Sequence, residues 1–368
     1  MSPGHMVFDP DSALPNVAFR DPAIFAAELE AIWHGDWVFV TTTDAVPNPG
    51  DQLPVVIGRQ PVLLIRKQNG DLAAVSNLCA HRGTLLVDRP TNAKRIQCPY
   101  HAWTYDDVGR LLSVPHAPRD AVDKTAHCLP TYRVDTWHGL IFVSQNPDVE
   151  PLATRFAALE PYVAERGLDA MTHRSELQET QEWACNWKLA ILNAMESYHL
   201  FRVHPETLEP VSPTKEAYYI SGSARATATG GTVKGSSDYL LVSLPPGFVG
   251  VFTSGAFAWQ AVHPIDVERC AIRTGAAWGA ASDAGPRNRI ASWLSRRVAA
   301  SAYGLPDFLP EDKAICERGQ RGAIGDFTPG PLVPIERVVA DFGYYLNWRL
   351  NGVEPPAVHT AIDTGENR

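Results

Sequence analysis

The sequence is poor in positive charge and in long apolar runs. Its 368 residues include 32 Lys and Arg against 41 Asp and Glu, a formal net charge of −9. A surface of that sign gives no reason to expect nucleic acid or an anionic membrane as a partner. No apolar run approaches the roughly 18 residues that cross a bilayer, and the opening MSPGHMVFDPDSALPN lacks the basic and apolar segments of a secretory signal. We therefore expect a cytoplasmic protein.

Cysteine is also scarce. A secreted disulfide framework would place more cysteines in a shorter chain, so we expect a reducing compartment. Only two cysteines, at 79 and 98, have a histidine close behind them in a pattern. All six are Cys79, Cys98, Cys128, Cys185, Cys270 and Cys316.

Strand-like and helix-like patterns divide the chain. Apolar residues at helical spacing predict a helix over 20–34. Short β-branched runs separated by turn formers then predict a small antiparallel β domain. Strand-like runs return at 210–285. Further helices are predicted from about Trp187, at 287–303, at 310–321 and at 336–349. We place an N-terminal helical segment at 1–36 that packs on the last domain, a β domain at 37–148 and a last domain at 149–368.

Residues 79–101, CAHRGTLLVDRPTNAKRIQCPYH, hold two Cys and two His in paired clusters. Zinc sites also use these ligands, but they usually pair Cys with Cys and His with His. Here each cluster offers one of each, as a Rieske [2Fe–2S] centre requires. We predict that Cys79 and Cys98 bind one iron and that His81 and His101 bind the other.

Such a cluster would carry electrons. Two neutral imidazoles in place of two thiolates remove negative charge, so the cluster accepts an electron at a higher potential than an all-cysteine cluster. Gly83 and Pro99 suit the tight loops that would hold it. The chain continues for more than 200 residues beyond this domain, and we expect that part to use the electron.

The segment NAMESYHLFRVHP holds Glu196, His199 and His204. Glu196 and His199 are three residues apart, which makes them neighbours on one helical face. His199 and His204 are five apart, about 140° on an ideal helix, so a continuous helix would separate them. Pro205 disfavours helix at the residue before it. We therefore expect the helix to end near Val203 and His204 to turn back toward His199.

A carboxylate would complete a mononuclear iron site. Two His and one carboxylate with open positions form the facial triad of non-haem Fe(II) oxygenases. The segment LPEDKAICERGQRG offers three candidates, of which Asp312 is favoured over Glu311 and Glu317. Taken by itself, the pair of histidines could end a helix without any metal. The [2Fe–2S] motif in the same chain favours iron.

The chain resembles the oxygenase α subunits of Rieske non-haem iron oxygenases. The resemblance covers most of the chain and lies in FRDPAIFAAELEAIWHGDWVFV, CAHRG…CPYHAW, NWKLAILNAMESYHLFRVHPE and EDKAICERGQRG. It implies an α+β fold, with a β-rich Rieske domain and a catalytic domain whose curved antiparallel sheet surrounds a long helix (helix-grip or START-like). It also implies that His199, His204 and Asp312 bind mononuclear Fe(II). Asn193 is a candidate for a supporting contact at that site.

The resemblance gives Glu196 a further role. It matches the acidic residue that links the two centres in rings of three subunits, where the cluster of one subunit lies next to the iron of its neighbour. Glu196 would accept hydrogen bonds from His101 of one chain and His199 of the next, and would thereby bridge electron delivery. The resemblance thus implies a homotrimer.

Electrons would come from a partner. The resemblance implies a separate flavin or iron–sulfur reductase, so that NAD(P)H acts only indirectly and O2 is the cosubstrate. The sequence fits this expectation, because it shows no Gly-rich dinucleotide fingerprint after a strand and no second iron–sulfur cysteine set.

The stretch NWKLAILNAMESYH…HPE looks most like the branch that acts on quaternary ammonium compounds, which includes choline, betaine and carnitine monooxygenases. Position 196 is Glu here, whereas much of the family has Asp. Leu192 departs from the branch, which often has Glu there. The resemblance implies hydroxylation or oxidative N-dealkylation of a small quaternary ammonium compound or amine. Hydroxylation of an aromatic ring or its substituent, and a Rieske electron carrier without oxygenase activity, are the alternatives.

We expect the substrate pocket to be drawn from residues 210–265. Aromatic faces there could hold a quaternary ammonium group by cation–π attraction. They could equally pack against an arene or fill the core between sheet and helix, and for each residue taken singly the core is the favoured place. The residues are Tyr218, Tyr219, Phe248, Phe252, Phe257 and Trp259.

Overall fold

The computed structural model describes residues 6–118, 121–234, 238–253, 255–279 and 308–360. Two compact units share the chain: a small unit, Trp33–Leu152, and a large unit, Met1–Ile32 with Ala153–Arg368. The functional domain boundaries placed at 36 and 148 stay a prediction. Within the described residues no helix is both long enough and apolar enough to cross a membrane.

Two short helices open the chain, α1 (Val17–Arg20) and α2 (Pro22–Glu28), and α2 runs on as one turn of π-helix at Leu29–Trp33. The side chain of Asp21 starts α2, because its Oδ1 accepts the N–H of Ala23 at 2.7 Å. The helix predicted over 20–34 is confirmed, with its last turn widened.

The small unit is β-rich, as predicted. Its described strands form a seven-stranded sheet in the order β1-β10-β9-β4-β3-β2-β5 and a three-stranded sheet in the order β6-β7-β8, both antiparallel. The strands are β1 (Val38–Thr42), β2 (Asp51–Ile57), β3 (Gln60–Arg66), β4 (Leu72–Ser76), β5 (Thr91–Asn92), β6 (Ile96–Gln97), β7 (Thr104–Tyr105), β8 (Leu111–Ser113), β9 (Thr131–Trp137) and β10 (Leu140–Ser144).

The large unit combines helices with one antiparallel sheet. Its described helices are α3 (Leu152–Arg155), α4 (Glu160–Arg166), α5 (Trp187–Met195), α6 (Leu200–Val203), α7 (Leu309–Gly322) and α8 (Arg337–Asn351). Its described strands are β11 (Met171–His173), β12 (Glu179–Trp183), β13 (Tyr218–Ser223), β14 (Ala226–Thr232), β15 (Asp238–Leu244), β16 (Phe248–Thr253), β17 (Ala256–Asp266), β18 (Arg269–Gly279) and β19 (His359–Thr360).

The nine strands pair in the order β11-β18-β17-β16-β15-β14-β13-β19, with β12 also paired to β18. Helix α8 packs on β13 and β14, and α5 packs on β15 to β18. The predicted fold class, a curved antiparallel sheet around helix, is therefore confirmed. The helices predicted from Trp187, at 310–321 and at 336–349 are present as α5, α7 and α8. The helix predicted at 287–303 lies outside the described residues.

A buried ion pair fixes α5 to the N-terminal segment. The Nζ of Lys188 lies 2.6 Å from Oε1 of Glu28, and both side chains are 0% exposed. The indole N–H of Trp187 donates to the other Glu28 oxygen at 2.8 Å. Burial raises the pKa of Glu28 and lowers that of Lys188, and their mutual attraction opposes both shifts. Each charge therefore depends on its partner.

Candidate metal centres

The two Cys/His loops of the small unit fold into the same turn. In the first loop, the N–H of Cys79 donates to the carbonyl five residues on at 2.8 Å, and the N–H of Gly83 returns to the Cys79 carbonyl at 2.8 Å. Cys98 and Ala102 repeat both bonds at 2.9 and 3.0 Å. The returning residue has left-handed backbone in both loops, with φ of +68° at Gly83 and +57° at Ala102. This conformation is easy for glycine and uncommon for alanine.

The loops present two buried thiols and two half-exposed imidazoles. Cys79 and Cys98 are each 3% exposed and belong to one apolar cluster. The rings of His81 and His101 have centroids 4.8 Å apart, and Trp103 stacks on His81 at 4.8 Å with 5° between the planes. This donor set fits a Rieske cluster, which spreads two thiolates and two imidazoles over two irons, so all four need not meet at one point.

Tyr105 adds a contact that the sequence did not predict. Its hydroxyl lies 3.4 Å from Sγ of Cys79 and accepts the N–H of Ala80 at 3.2 Å. Burial raises the pKa of Tyr105, so the phenol keeps its proton and can donate it to the sulfur. Hydrogen bonds to the sulfurs are one of the factors that set the potential of an iron–sulfur cluster.

In the large unit, the helix through NAMESYHLFRVHP is broken. Helix α5 ends at Met195, Glu196 is extended with φ −121° and ψ 163°, and helix resumes only at Leu200. The prediction that Glu196 and His199 share a helical face is therefore wrong. They still meet, because the Glu196 carboxylate turns back and accepts the backbone N–H groups of Tyr198 and His199, the latter at 3.2 Å.

The predicted turn at His204 is confirmed. Helix α6 ends at Val203, and His204 leaves helical geometry with φ −116° and ψ 45°. The rings of His199 and His204 then face each other with centroids 5.2 Å apart. Asp312, in the first turn of α7, lies between them, with its Oδ1 2.9 Å from His204 Nε2 and 3.5 Å from His199 Nε2.

These three residues could hold one metal ion. One ligand atom from each of His199, His204 and Asp312 lies within 4.8 Å of the others. His204 is 0% exposed and Asp312 is 6% exposed. Two imidazoles and a carboxylate that converge in a shielded place fit the donor set of a mononuclear non-haem iron.

Each imidazole has a carboxylate on its far side. The Nδ1 of His199 lies 2.6 Å from Oε1 of Glu196, and the Nδ1 of His204 lies 2.7 Å from Oε2 of Glu311. Both rings therefore keep Nε2 for the ion. Glu311 entered the sequence analysis only as a rival ligand, and nothing in the sequence indicated that it would meet His204 from the other side.

The remaining predicted site residues are placed as follows. Asn193 donates through Nδ2 to Oδ1 of Asp312 at 2.7 Å, which is the kind of supporting contact expected of it. Glu317, the second rival ligand, lies outside the group and accepts the backbone N–H of Ala184 at 3.0 Å. One turn of α7 separates it from Lys313, with which it forms a loose ion pair at 3.9 Å.

The electrostatics of the group favour a cation. Burial lowers the pKa of His199, but hydrogen bonds to Asp312 and Glu196 outweigh it and raise that pKa to about 9. Burial raises the pKa of Asp312, but its bonds to the two histidines outweigh this and lower it. The carboxylates thus draw positive charge to the imidazoles, as protons or as a metal ion.

The sheet of the large unit has two distinct faces. Tyr239 reaches Ser197, beside Glu196, with their hydroxyl oxygens 3.0 Å apart, and Tyr219 donates to Asp341 of α8 at 2.8 Å. We call their side of the sheet the inner face. Directly opposed residues of paired strands share a face, and neighbours along a strand alternate.

Five of the six predicted pocket aromatics point to the outer face. Leu240, the neighbour of Tyr239, pairs with Phe252, and the pairings Phe252↔Phe257 and Phe248↔Ala261 continue on that side of the sheet. Tyr218 is the neighbour of Tyr219 and therefore also points away from the inner face. Phe248, Phe252, Phe257 and Trp259 are enclosed, as expected of core residues, and a substrate pocket drawn from 210–265 stays a prediction. Glycines leave room for the outer rings, with Gly250 under Phe257 and Gly275 under Trp259. The five are Tyr218, Phe248, Phe252, Phe257 and Trp259.

Comparison with known protein families matches two regions. A Rieske [2Fe–2S] domain matches residues 36–133, and the catalytic domain of ring-hydroxylating alpha subunits matches residues 168–240. One region of the chain is therefore similar to Rieske domains, and a second, later region is similar to ring-hydroxylating catalytic domains. The Cys/His loops lie in the first match, and His199 and His204 lie in the second.

Relatives cover part of the chain. The glycine betaine monooxygenase oxygenase subunit of Chromohalobacter salexigens is 35% identical over 202 residues, which are 54% of this chain and 44% of that protein. The anthranilate 1,2-dioxygenase large subunit of Burkholderia cepacia is 33% identical over 215 residues, 54% of this chain and 49% of that protein. The chain thus spans about half the length of the curated relatives it matches.

A solved structure extends the likeness in fold. The quaternary ammonium Rieske monooxygenase CntA, in complex with an inhibitor, has a TM-score of 0.79 and 20% identity, covering 93% of this chain and 97% of that one. At this identity the likeness concerns the fold alone.

Proposed function

We propose that this chain is the oxygenase component of a multicomponent Rieske oxygenase. It uses O2 and electrons from a separate flavin or iron–sulfur reductase to hydroxylate or oxidatively N-dealkylate a small quaternary ammonium compound or amine. We place it in the cytoplasm as a homotrimer.

The convergence of His199, His204 and Asp312 carries this proposal. These residues offer their donor atoms within 4.8 Å of one another, in a chain that also offers the Rieske set of two thiols and two imidazoles. An electron carrier needs only the Rieske set of two thiols and two imidazoles. A zinc-stabilised module needs neither the mixed Cys/His pairing nor the group of His199, His204 and Asp312.

When bound, the two groups supply one-electron transfer at the cluster and oxygen activation at the open positions of the mononuclear iron. The chain's own residues hold donors in place for them. Asp312 and the Nε2 atoms of His199 and His204 converge in a place almost closed to water. Asn193 fixes the Asp312 carboxylate through a 2.7 Å hydrogen bond.

Glu196 is proposed as the bridge for electron delivery. Its Oε1 holds Nδ1 of His199 at 2.6 Å, and its side chain is 11% exposed. A second hydrogen bond, from His101 of a neighbouring copy, would join the two centres across a trimer. The backbone N–H groups that it accepts already fix the carboxylate for that contact.

The substrate class is proposed from the relatives. The glycine betaine monooxygenase subunit is the more similar of the two relatives described, and hydroxylation of an N-methyl group would release formaldehyde and the demethylated amine. The anthranilate dioxygenase relative supports aromatic hydroxylation as a second candidate. The aromatic residues expected to form the pocket favour neither class, because a ring face can hold an ammonium group or pack against an arene.

A substrate screen tests the proposal. The purified chain would be combined with a surrogate reductase, NADH and ¹⁸O2, and supplied in turn with glycine betaine, carnitine, choline and anthranilate. We expect formaldehyde and a demethylated product from an ammonium substrate, and a third iron per chain beyond the two of the cluster. A coloured protein with cluster iron alone and no product from any substrate would support the electron carrier instead.

A further inference from the structure

The two histidines of the mononuclear centre are held in matching ways by different carboxylates. Glu196 lies on Nδ1 of His199, and Glu311 lies on Nδ1 of His204, at 2.6 and 2.7 Å. A neutral imidazole that donates its Nδ1 proton to a carboxylate must present an Nε2 lone pair. Both Nε2 atoms face Asp312.

Glu311 is itself fixed from a second direction. The hydroxyl of Thr207 donates to Oε2 of Glu311 at 2.6 Å, the same oxygen that meets His204. Thr207 follows His204 by three residues, so the ring and the group that steadies its carboxylate come from one segment. His204 is 0% exposed, whereas the Glu311 side chain is 35% exposed. The carboxylate therefore closes the solvent side of a buried ring.

Adjacent residues of α7 contact opposite sides of His204. Asp312 approaches Nε2 at 2.9 Å, and Glu311 approaches Nδ1 at 2.7 Å. An ion bound between the imidazoles and Asp312 would leave Glu311 on the far side of the ring, where it cannot also be a ligand. This separates the two acids that the sequence alone left as rivals.

We propose that Glu311 is a positioning residue that acts through His204, fixing its tautomer and ring orientation so that Nε2 is ready for iron. The proposal rests on the proposed function, since it takes the mononuclear metal to lie between His199, His204 and Asp312. Partners of metal-bound histidines commonly contribute 10- to 100-fold to metal affinity.

Glu311 tests the support of a histidine ligand more cleanly than Glu196 does, because Glu196 has other roles. Glu196 also accepts two backbone N–H groups at the helix break and is the proposed bridge between centres. Its replacement would change several things together. Among the hydrogen bonds that the structure describes, the side chain of Glu311 takes part only in those with His204 and Thr207, so its replacement isolates the support of one ligand.

The test compares Glu311→Ala, Glu311→Gln and a matched control, Glu206→Gln. Glu206 is exposed, lies two residues beyond His204 and loses the same charge. Each full-length variant would be stripped of mononuclear iron and titrated with Fe(II), and the ferrous–nitrosyl EPR spectrum would be recorded. Visible absorption of the Rieske cluster checks that the chain is folded.

We expect Glu311→Ala to weaken Fe(II) binding by about 10- to 100-fold and to broaden the nitrosyl spectrum. Glu311→Gln should recover part of the affinity, because its amide oxygen can still accept the Nδ1 proton. Glu206→Gln should bind iron as the wild type does.

Two results would overturn the proposal. If Glu311→Ala binds iron with wild-type affinity and spectrum, Glu311 does not position His204. If both Glu311 variants lose the iron completely, as a ligand variant does, Glu311 is a ligand. Should Glu311→Ala fail to fold, Glu311→Gln and Thr207→Val decide: a weaker affinity or altered spectrum in either supports the proposal, and wild-type behaviour in both rejects it. A wild-type chain that binds no mononuclear iron would refute the proposed function itself.

Discussion

The two metal centres rest on different kinds of interior. Around Cys79 and Cys98 the small unit packs an apolar cluster, and the buried polar side chains of its described residues are almost all uncharged. The large unit buries charge: Glu28 and Lys188 are fully enclosed, and Asp312 is buried as well. A loop-borne site can draw its rigidity from local turns and apolar contacts. A site assembled from distant segments depends here on charged partners, each of which leaves another group uncompensated when it is removed.

The most severe way to break the large unit's centre is Asp312→Asn. The amide lacks the negative charge that draws a cation to the imidazoles, so we expect the mononuclear iron to be lost and turnover to fall by at least about a thousandfold. Iron analysis and product assays measure this, with cluster absorption unchanged. Glu317→Gln, five residues further along α7, is the control. Loss of iron in that variant, with retention in Asp312→Asn, would reassign the ligand.

The variant Glu28→Gln tests how far the stability of the large unit depends on its buried charges. The change leaves Lys188 buried without its anion, so the free energy of unfolding should fall by about 3–5 kcal/mol. Denaturant unfolding followed by tryptophan fluorescence would measure it. The double variant Glu28→Gln/Lys188→Met should recover most of the loss, because the stranded charge is then gone. An equal loss in the double variant would mean that the ion pair is not the cause.

Asp341 makes the same point through pH. Burial raises its pKa from 3.8 to about 7, against the bond from Tyr219 and the charge of Arg337. Between pH 4 and 7 the unfolded chain binds fewer protons here than the folded one, so this residue costs stability as pH rises, by at most about 4 kcal/mol. Asp341→Asn should therefore gain stability relative to the wild type between pH 4 and 7. A difference in melting temperature that stays constant with pH would contradict this.

In the small unit we expect the reduction potential of the cluster to depend on an uncharged contact, the Tyr105 hydroxyl with Cys79 Sγ. Tyr105→Phe removes the hydroxyl that faces Cys79 Sγ, and a hydrogen bond to the more negative, reduced cluster is lost. We expect the reduction potential to fall by about 40 mV, the equivalent of about 1 kcal/mol for one electron. Spectroelectrochemical titration measures it. Tyr132→Phe, whose hydroxyl bonds to Ser76 and Gln60 instead, should leave the potential unchanged, and an equal fall there would remove the case for Tyr105.

The smallest effect is expected in the first loop. Nothing lies within 4 Å of a Cβ built on Gly83, so Gly83→Ala meets only the cost of left-handed backbone, about 1 kcal/mol. Ala102 already adopts this conformation, and Ala102→Gly should give an opposite shift of similar size. Thermal unfolding of the small unit measures both. Loss of the cluster in Gly83→Ala would show that the loops are less alike than their hydrogen bonds indicate.

The metal-binding residues could be predicted from the sequence where they lie close together along the chain. The Rieske ligands lie within 23 residues, so spacing alone brought them together. Pro205 likewise predicted the turn at His204. Asp312 lies 108 positions from His204. The helical pattern could not distinguish Asp312 from Glu311 as the metal ligand, because the distinction depends on which side of the His204 ring each carboxylate contacts. The break at Glu196 escaped prediction, since no proline or glycine marks it and the Glu196 carboxylate accepts N–H groups of the residues that follow it.

The face on which the aromatic rings lie could not be predicted for a related reason. Alternation along β16 and β17 tells that Phe248, Phe252, Phe257 and Trp259 share a side of the sheet, but it does not tell which side meets the helices. That depends on contacts such as Tyr239 with Ser197, which join segments about 40 residues apart.

Alternation in these strands also bears on how the protein can change over time. Val251 and Gln260 are half-buried on the inner face, whereas their neighbours Phe252 and Trp259 are enclosed on the outer one. Substitutions at Val251 and Gln260 should therefore disturb packing less than substitutions at Phe252 and Trp259, so these two inner positions can vary while the enclosed rings are kept. Tolerance to substitution and enclosed packing thus alternate along each of these strands.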